Sequence, residues 1–168
     1  MKSIIKIFLI VCVSFQFGFA QSNSNDVTQI NAVLNHWHQA AATAHFDNYF
    51  SYMTNDAVFI GTDATENWKL PAFKKFCKPY FDAGKAWSFT PMERNVYLSG
   101  NIAWFDELLD TQMKICRGSG VLVKTNGVWK IKHYVLSMTI PNEKANTVIK
   151  IKDSIESLLI KNSLQNEK

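Results

Sequence analysis

The sequence predicts an α+β domain in which a curved, mainly antiparallel sheet wraps a helical layer. Three observations carry that prediction. Apolar residues recur at i, i+3, i+4 and i+7 from Asp26 to about Ala44, the spacing of a helix with one buried stripe. Four β-rich segments follow one another between Trp87 and Ile140 with turn chemistry between them. A short strand and a further helical pattern lie between these two regions.

Taken in order, Val27, Ile30, Val33, Leu34, Trp37, Ala41 and Ala44 mark the stripe of the first helix, with Asp26 as its expected N-cap. "HFDNYFSYM" reads as a second short helix, and "DAVFIG" as a strand closed by Gly61. "GTDATENW" has the composition of a loop. Pro71 opens a third helix as its first residue, and Gly84 stops it. The strands expected next are Trp87 to Leu98, Ile102 to about Thr111, Ile115 to Lys124 and Trp129 to Ile140. Asn126-Gly127 accepts the positive φ of a tight hairpin turn. After Pro141, Val148, Ile151, Ile155, Leu158 and Leu159 mark an amphipathic helix that packs on its own domain or on a partner chain.

The first twenty residues read as a secretory signal peptide: Lys2 and Lys6 are followed by an apolar stretch from Ile7 to Phe19, with Gly18 and Ala20 as small residues for cleavage. That stretch falls short of the roughly 20 residues that span a bilayer. Lipid modification at Cys12 needs a small preceding residue, and Val11 is not small. The expected organisation is therefore residues 1–20 as leader, 21–141 as the α+β domain and 142–168 as a C-terminal amphipathic helix, with the mature chain secreted, in a bacterial periplasm. Removing Lys2 and Lys6 lowers the net charge from +4 to +2. No basic stripe remains for a nucleic-acid partner, and no membrane contact is expected after cleavage. Cys77 and Cys116 are read as free buried thiols rather than a disulfide, and two cysteines without a C-x-x-C motif give no metal or redox cluster.

The element order, together with "DAVFIGTDATENW", "AWFDELL", "CRGSGVLVK" and "GVWKIKHYVLS", resembles the SnoaL-like branch of the nuclear transport factor 2-like superfamily over about Val27 to Asn142. The resemblance implies a cone-shaped fold with a cavity between the curved sheet and the long first helix. Such folds host isomerases, dehydratases, cyclases and binding or oligomerisation modules, so fold does not fix function. The ketosteroid isomerase site carries over poorly. Its Asp base falls on Gly61, its oxyanion Tyr on Trp37 and its second oxyanion acid on Ser119. Trp37 and Ser119 could each still donate one hydrogen bond to a polar ligand atom. Asp63 is the nearest substitute carboxylate, although a loop Asp commonly bonds its own backbone, and Glu66 invites the same reading.

Other constellations carry less. His36 and His38 point about 200° apart on a helix, and His38 and His45 are about 10 Å apart in rise, so no metal site is expected. His133 shares an alternating face with Trp129, Ile131 and Val135 and reads as a satisfied buried or interfacial histidine. "GSG" in "CRGSGV" lies in a strand, where its glycines allow a bulge or close packing. No nucleophile elbow is present.

"AWFDELLDTQMKICRGSG" poses the central question, because it carries Asp106, Glu107, Asp110 and Arg117 among large apolar residues. With the turn between Gln112 and Met113, Leu108 faces Arg117 and leaves Asp106 and Asp110 as diagonal neighbours; a one-residue shift brings Glu107 opposite. Either register offers Arg117 a carboxylate. The expected site is thus an aromatic cavity walled by Trp37, Tyr49, Trp68, Trp87, Trp104 and Tyr134, with a polar end near Glu107 or Asp106, Arg117 and Ser119. The leading expectation is a module that binds a small apolar or aromatic ligand without a cofactor. A lyase or isomerase using Asp106, Glu107 or Asp63 as a burial-raised acid or base is the second. A homodimeric assembly module with a vestigial cavity is the third.

Overall fold

The structure, a computed structural model, describes residues 24–165, which form two compact units: one runs to Met138 and the other from Thr139. The expected signal peptide lies outside the described residues. The first unit contains helices α1 (24–42), α2 (Phe46–Ser51) and α3 (Leu70–Asp82) and strands β1 (Met53–Ile60), β2 (Asn67–Lys69), β3 (Phe89–Ser99), β4 (Ile102–Thr111), β5 (Lys114–Thr125) and β6 (Val128–Met138). The strands form one open sheet in the order β2-β1-β6-β5-β4-β3, antiparallel throughout except for the parallel pair β1–β6. This is the expected α+β architecture, with the curved sheet covering a helical layer.

Helix α1 includes Asp26 instead of starting from it. The carboxylate does not cap the helix; it accepts Lys124 Nζ at 2.6 Å and Trp129 Nε1 at 3.1 Å, which ties the first described turn to β5 and β6. The hydrogen bond from Lys124, then that from Trp129, hold the Asp26 carboxyl below the usual carboxylate range. Farther along, Ile30, Leu34, Trp37 and Ala41 are buried, so the helical stripe packs as its spacing requires. Pro71 sits in the first turn of α3, and Gly84 takes a φ of +67° just past its end, a conformation that glycine adopts without steric cost. Asn126 and Gly127 both have positive φ in the β5–β6 hairpin.

Two departures from the sequence reading matter for the site. The segment read as a loop ends in β2, whose Trp68 pairs opposite Phe59 and stacks on Phe76 at 4.5 Å between centroids. The sheet also contains two irregularities. Strand β3 slips against β4 between Pro91 and Glu93, and β6 slips against β5 so that Ile131 opposes Leu122 while His133 opposes Val121. Each extra residue reverses the in–out alternation beyond it. His133 therefore does not share the face of Trp129 and Ile131; Tyr134 and Leu136 turn inward instead. Cys77 and Cys116 are free and buried, and burial pushes the Cys77 thiol well up.

In the second unit a 3-10 turn (Asn142–Lys144) follows Pro141 and leads into α4 (Ala145–Gln165). Ile151, Ile155 and Leu158 of α4 are exposed, and Lys152 pairs with Glu156 one turn on at 3.0 Å.

Replacing Trp129 by Phe keeps most of the buried ring but removes the only indole donor to Asp26. The loss of a hydrogen bond to a charged acceptor predicts destabilisation by about 2 kcal/mol. Urea unfolding of the full chain measures it, and an unchanged midpoint would show that this tether contributes nothing.

Candidate functional site: an aromatic cavity beside a sealed carboxylate

Strand β4 alternates cleanly: Ala103, Phe105, Glu107, Leu109 and Thr111 point inward, while Trp104, Asp106, Leu108 and Asp110 lie on the other face. Glu107 is 0% exposed. Burying a carboxylate costs several kcal/mol unless it is fully paired, and here three elements supply the partners. Arg94 of β3, directly opposite Glu107 in register, donates Nε–H to Oε2 at 2.8 Å, with Nη2 at 2.7 Å from the same oxygen. His38 of α1 meets Oε1 through Nε2 at 2.8 Å, and Tyr134 of β6 donates its hydroxyl to Oε1 at 3.0 Å. Because the carboxylate only accepts, His38 carries its proton on Nε2 here. Arg94 is also held by Asn35 Oδ1 at 2.8 Å and Asn31 Oδ1 at 3.2 Å from α1.

Burial by itself would raise the Glu107 pKa, but the His38 hydrogen bond and charge and the Arg94 charge together outweigh it and hold the carboxyl below its usual value. Burial, then the Glu107 charge, push the Tyr134 phenol well up. Gly118 makes the arrangement sterically accessible. It lies opposite Glu107 on β5, and a Cβ there would stand 2.1 Å from Tyr134 Oη and 3.0 Å from Glu107 Cγ.

A cavity of about 140 Å³ opens beside this cluster. Its walls are Phe59 of β1, Trp68 of β2, Phe73 and Phe76 of α3, and Trp87 and Phe89 at the entry to β3. Exposed Thr62 and Gln112 and half-buried Glu66 supply polar groups, while Met113 of the β4–β5 turn and Leu136 of β6 complete the apolar lining. Phe59 stacks on Tyr134 with centroids 5.5 Å apart, and Phe89 meets His38 edge-on at 5.8 Å. The cavity and the carboxylate cluster thus share two aromatic walls, but none of Glu107, Arg94, His38 and Tyr134 lines the cavity.

Of the aromatic residues expected to wall a cavity, Trp68 and Trp87 line it, whereas Trp37, Tyr49 and Tyr134 are packed in the core behind it. Trp37 stacks on Tyr49 at 5.0 Å, and its Nε1 has no hydrogen-bond partner among the described residues. Four expectations are corrected. Trp104 is 46% exposed on the opposite sheet face, where it stacks on Tyr97 at 5.8 Å. Arg117 is exposed on that face, opposite Leu108, so the register is the first one expected but the arginine does not meet Glu107. Ser119 and Asp106 oppose each other on the same outer face, and Asp106 accepts Asn95 Nδ2 at 3.3 Å. Period-two alternation places all four away from the cavity.

Asp63 is exposed and accepts the Thr65 amide and hydroxyl at 2.9 and 2.6 Å, the bonding of a turn former. Those bonds, the hydroxyl first, hold its pKa below the usual range. His36 and His45 are exposed, and no cluster of three or more metal-ligating side chains occurs among the described residues.

Sequence reasoning missed Arg94 and His38, although both carried a signal. Arg94 is in phase with Val96 and Leu98, and His38 lies on the stripe of Leu34 and Ala41. A charge on an apolar face needs a buried partner, and Glu107 was available.

A model of the SnoaL-like domain matches residues 30–141, two thirds of the chain. The chain belongs to the SnoaL-like domain family. Solved structures agree on the fold. A nuclear transport factor 2-like protein of unknown function from Pseudomonas putida shares 15% identity with a TM-score of 0.61, covering 72% of this chain and 92% of its own. A provisionally named scytalone dehydratase from Novosphingobium aromaticivorans shares 14% at 0.61, covering 72% and 89%. A provisionally named ketosteroid isomerase from Shewanella frigidimarina shares 19% at 0.54, covering 63% and 92%. No curated protein matches. In this SnoaL-like domain, the three isomerase positions hold Gly61 at the cavity lining, Trp37 in the core and Ser119 on the outer face.

Removing the Glu107 charge leaves a buried guanidinium uncompensated, so Glu107→Gln is expected to cost about 3 kcal/mol. The pH dependence has a definite sign. Because the folded pKa is depressed, the stabilisation is fully present above the unfolded value of about 4.3 and is lost as pH falls through the folded pKa. Denaturant midpoints measured from pH 7 down to pH 3 should fall less steeply in the variant. Gly118→Ala should also destabilise, and adding Tyr134→Phe should cost less than the sum, since the hydroxyl is the atom most crowded by the new methyl. A strictly additive double variant would contradict the crowding.

Proposed function

We propose that this SnoaL-like domain is an exported module that binds a small, single-ring apolar or aromatic ligand carrying one polar group. The cavity carries the reading: six aromatic side chains line about 140 Å³, close to the volume in which an apolar protein cavity holds a benzene ring. Thr62, Glu66 and Gln112 stand where a ligand's polar group would sit. Export is supported by the basic, apolar and small-residue order of residues 1–20.

The binding reading is preferred to catalysis on the state of Glu107. An acid or base needs access to the reacting atom and a pKa near working pH. Glu107 is sealed behind Phe59 and Phe89, saturated with donors and held ionised. Its arrangement serves stability, and Asp63 is engaged in its own turn.

Binding of a neutral single-ring compound such as p-cresol should raise the melting temperature; at a hundredfold excess over Kd the stabilisation is about 2.7 kcal/mol, several degrees for a domain of this size. Met113→Trp, which fills the cavity, should abolish the shift. Arg117→Ala, on the outer face, should leave the shift intact and change stability by less than about 0.5 kcal/mol. A panel of such compounds that never moves the wild-type transition would sink this proposal.

A further inference from the structure

We propose that the cavity selects an organic cation, an ammonium group carried on a body no larger than one ring. The inference rests on the ligand-binding reading above and specifies the ligand's charge. Among the described residues, Glu66 is the single formally charged one lining the cavity, and no Lys, Arg or His contributes to it. The walls are aromatic, and ring faces carry the negative part of the quadrupole, which attracts cations. Both features act with the same sign.

Glu66 is also held in place. Its Oε2 accepts the Asp63 backbone amide at 3.2 Å, and the close approach to β1 requires Gly61, where a Cβ would fall 2.2 Å from that oxygen. The carboxylate is half-buried, so it acts through a medium that screens less than bulk water. Behind the walls, the Glu107 charge is matched by Arg94, so that pair adds no net charge to oppose this field. A ligand carboxylate would lose its hydration against a carboxylate and an aromatic wall alike. A neutral ligand would gain only the apolar contact.

Three probes of one shape test the charge: benzylammonium, toluene and benzoate, titrated into the full chain at pH 7 with Trp68 and Trp87 fluorescence as readout and calorimetry as a second measurement. Benzylammonium is expected to bind about tenfold tighter than toluene, with benzoate weakest. Glu66→Gln should erase most of that preference while toluene affinity stays the same, and raising salt from 50 to 500 mM should weaken benzylammonium alone. Toluene or benzoate binding as tightly as benzylammonium overturns the cation proposal and leaves the cavity reading standing. A preference that survives in Glu66→Gln overturns the part assigned to Glu66. Failure of all three probes overturns the cavity reading together with it.

Discussion

A single buried carboxylate fixes how the elements of the first unit pack on one another. Glu107 is central to β4, and its two oxygens receive donors from α1, β3 and β6. Each of those groups would be costly to bury without an acceptor. The four therefore require one another: His38 fixes the helix on the sheet, Arg94 fixes the edge strand, and Tyr134 fixes the neighbouring hairpin. A hydrophobic stripe tolerates sliding by a fraction of a turn, whereas a carboxylate with three directed donors does not. The cluster thus specifies the packing of a helix that its apolar stripe already stabilises.

Two sheet irregularities make the cluster geometrically feasible. Without the slip between Pro91 and Glu93, the alternation that buries Phe89 would direct Glu93 inward and Arg94 outward, placing two carboxylates together and their counter-charge on the far side. Without the slip at Lys132, the alternation of Trp129 and Ile131 would continue to His133 and send Tyr134 outward. One inserted residue in each strand exchanges which face carries the polar group. The glycine at 118 then supplies the room that the tyrosine hydroxyl needs.

The helices and the longer strands were legible because they depend on local periodicity: the stripe of α1, the Pro71 and Gly84 signals and the Asn126-Gly127 turn all act over a few residues. Of the two β4–β5 registers that the sequence left open, the one with Leu108 opposite Arg117 forms. The partner of Glu107 was not. Choosing between Arg94 and Arg117 requires knowing which face of β4 is inward, and both faces mix apolar and charged residues. It also requires the positions of the slips, which no residue pattern marks plainly. Trp104 illustrates the same limit: a large aromatic residue in a strand reads as a wall, yet its parity with Asp106 and Asp110 places it outside. Glu66, read as a loop residue that satisfies backbone amides, does so through one oxygen and lines the cavity as well.

Charge and cavity stand one ring apart. Phe59 covers Tyr134 and Phe89 covers His38, and the same two rings line the cavity. That thickness decides the chemistry. With the rings in place, the His38 and Arg94 contacts keep the Glu107 pKa low, and among the described residues the cavity's only charge is Glu66 at its half-buried side. A smaller residue at 59 or 89 would let solvent or ligand compete for Tyr134 and His38, and the carboxylate would then exchange fixed donors for mobile ones. Water admitted there would relieve part of the burial that opposes ionisation while it weakened the donors that favour it, so the fixed geometry of the cluster would be lost. The aromatic layer therefore does more than form a hydrophobic wall: it holds two donors of an ionised structural group in place.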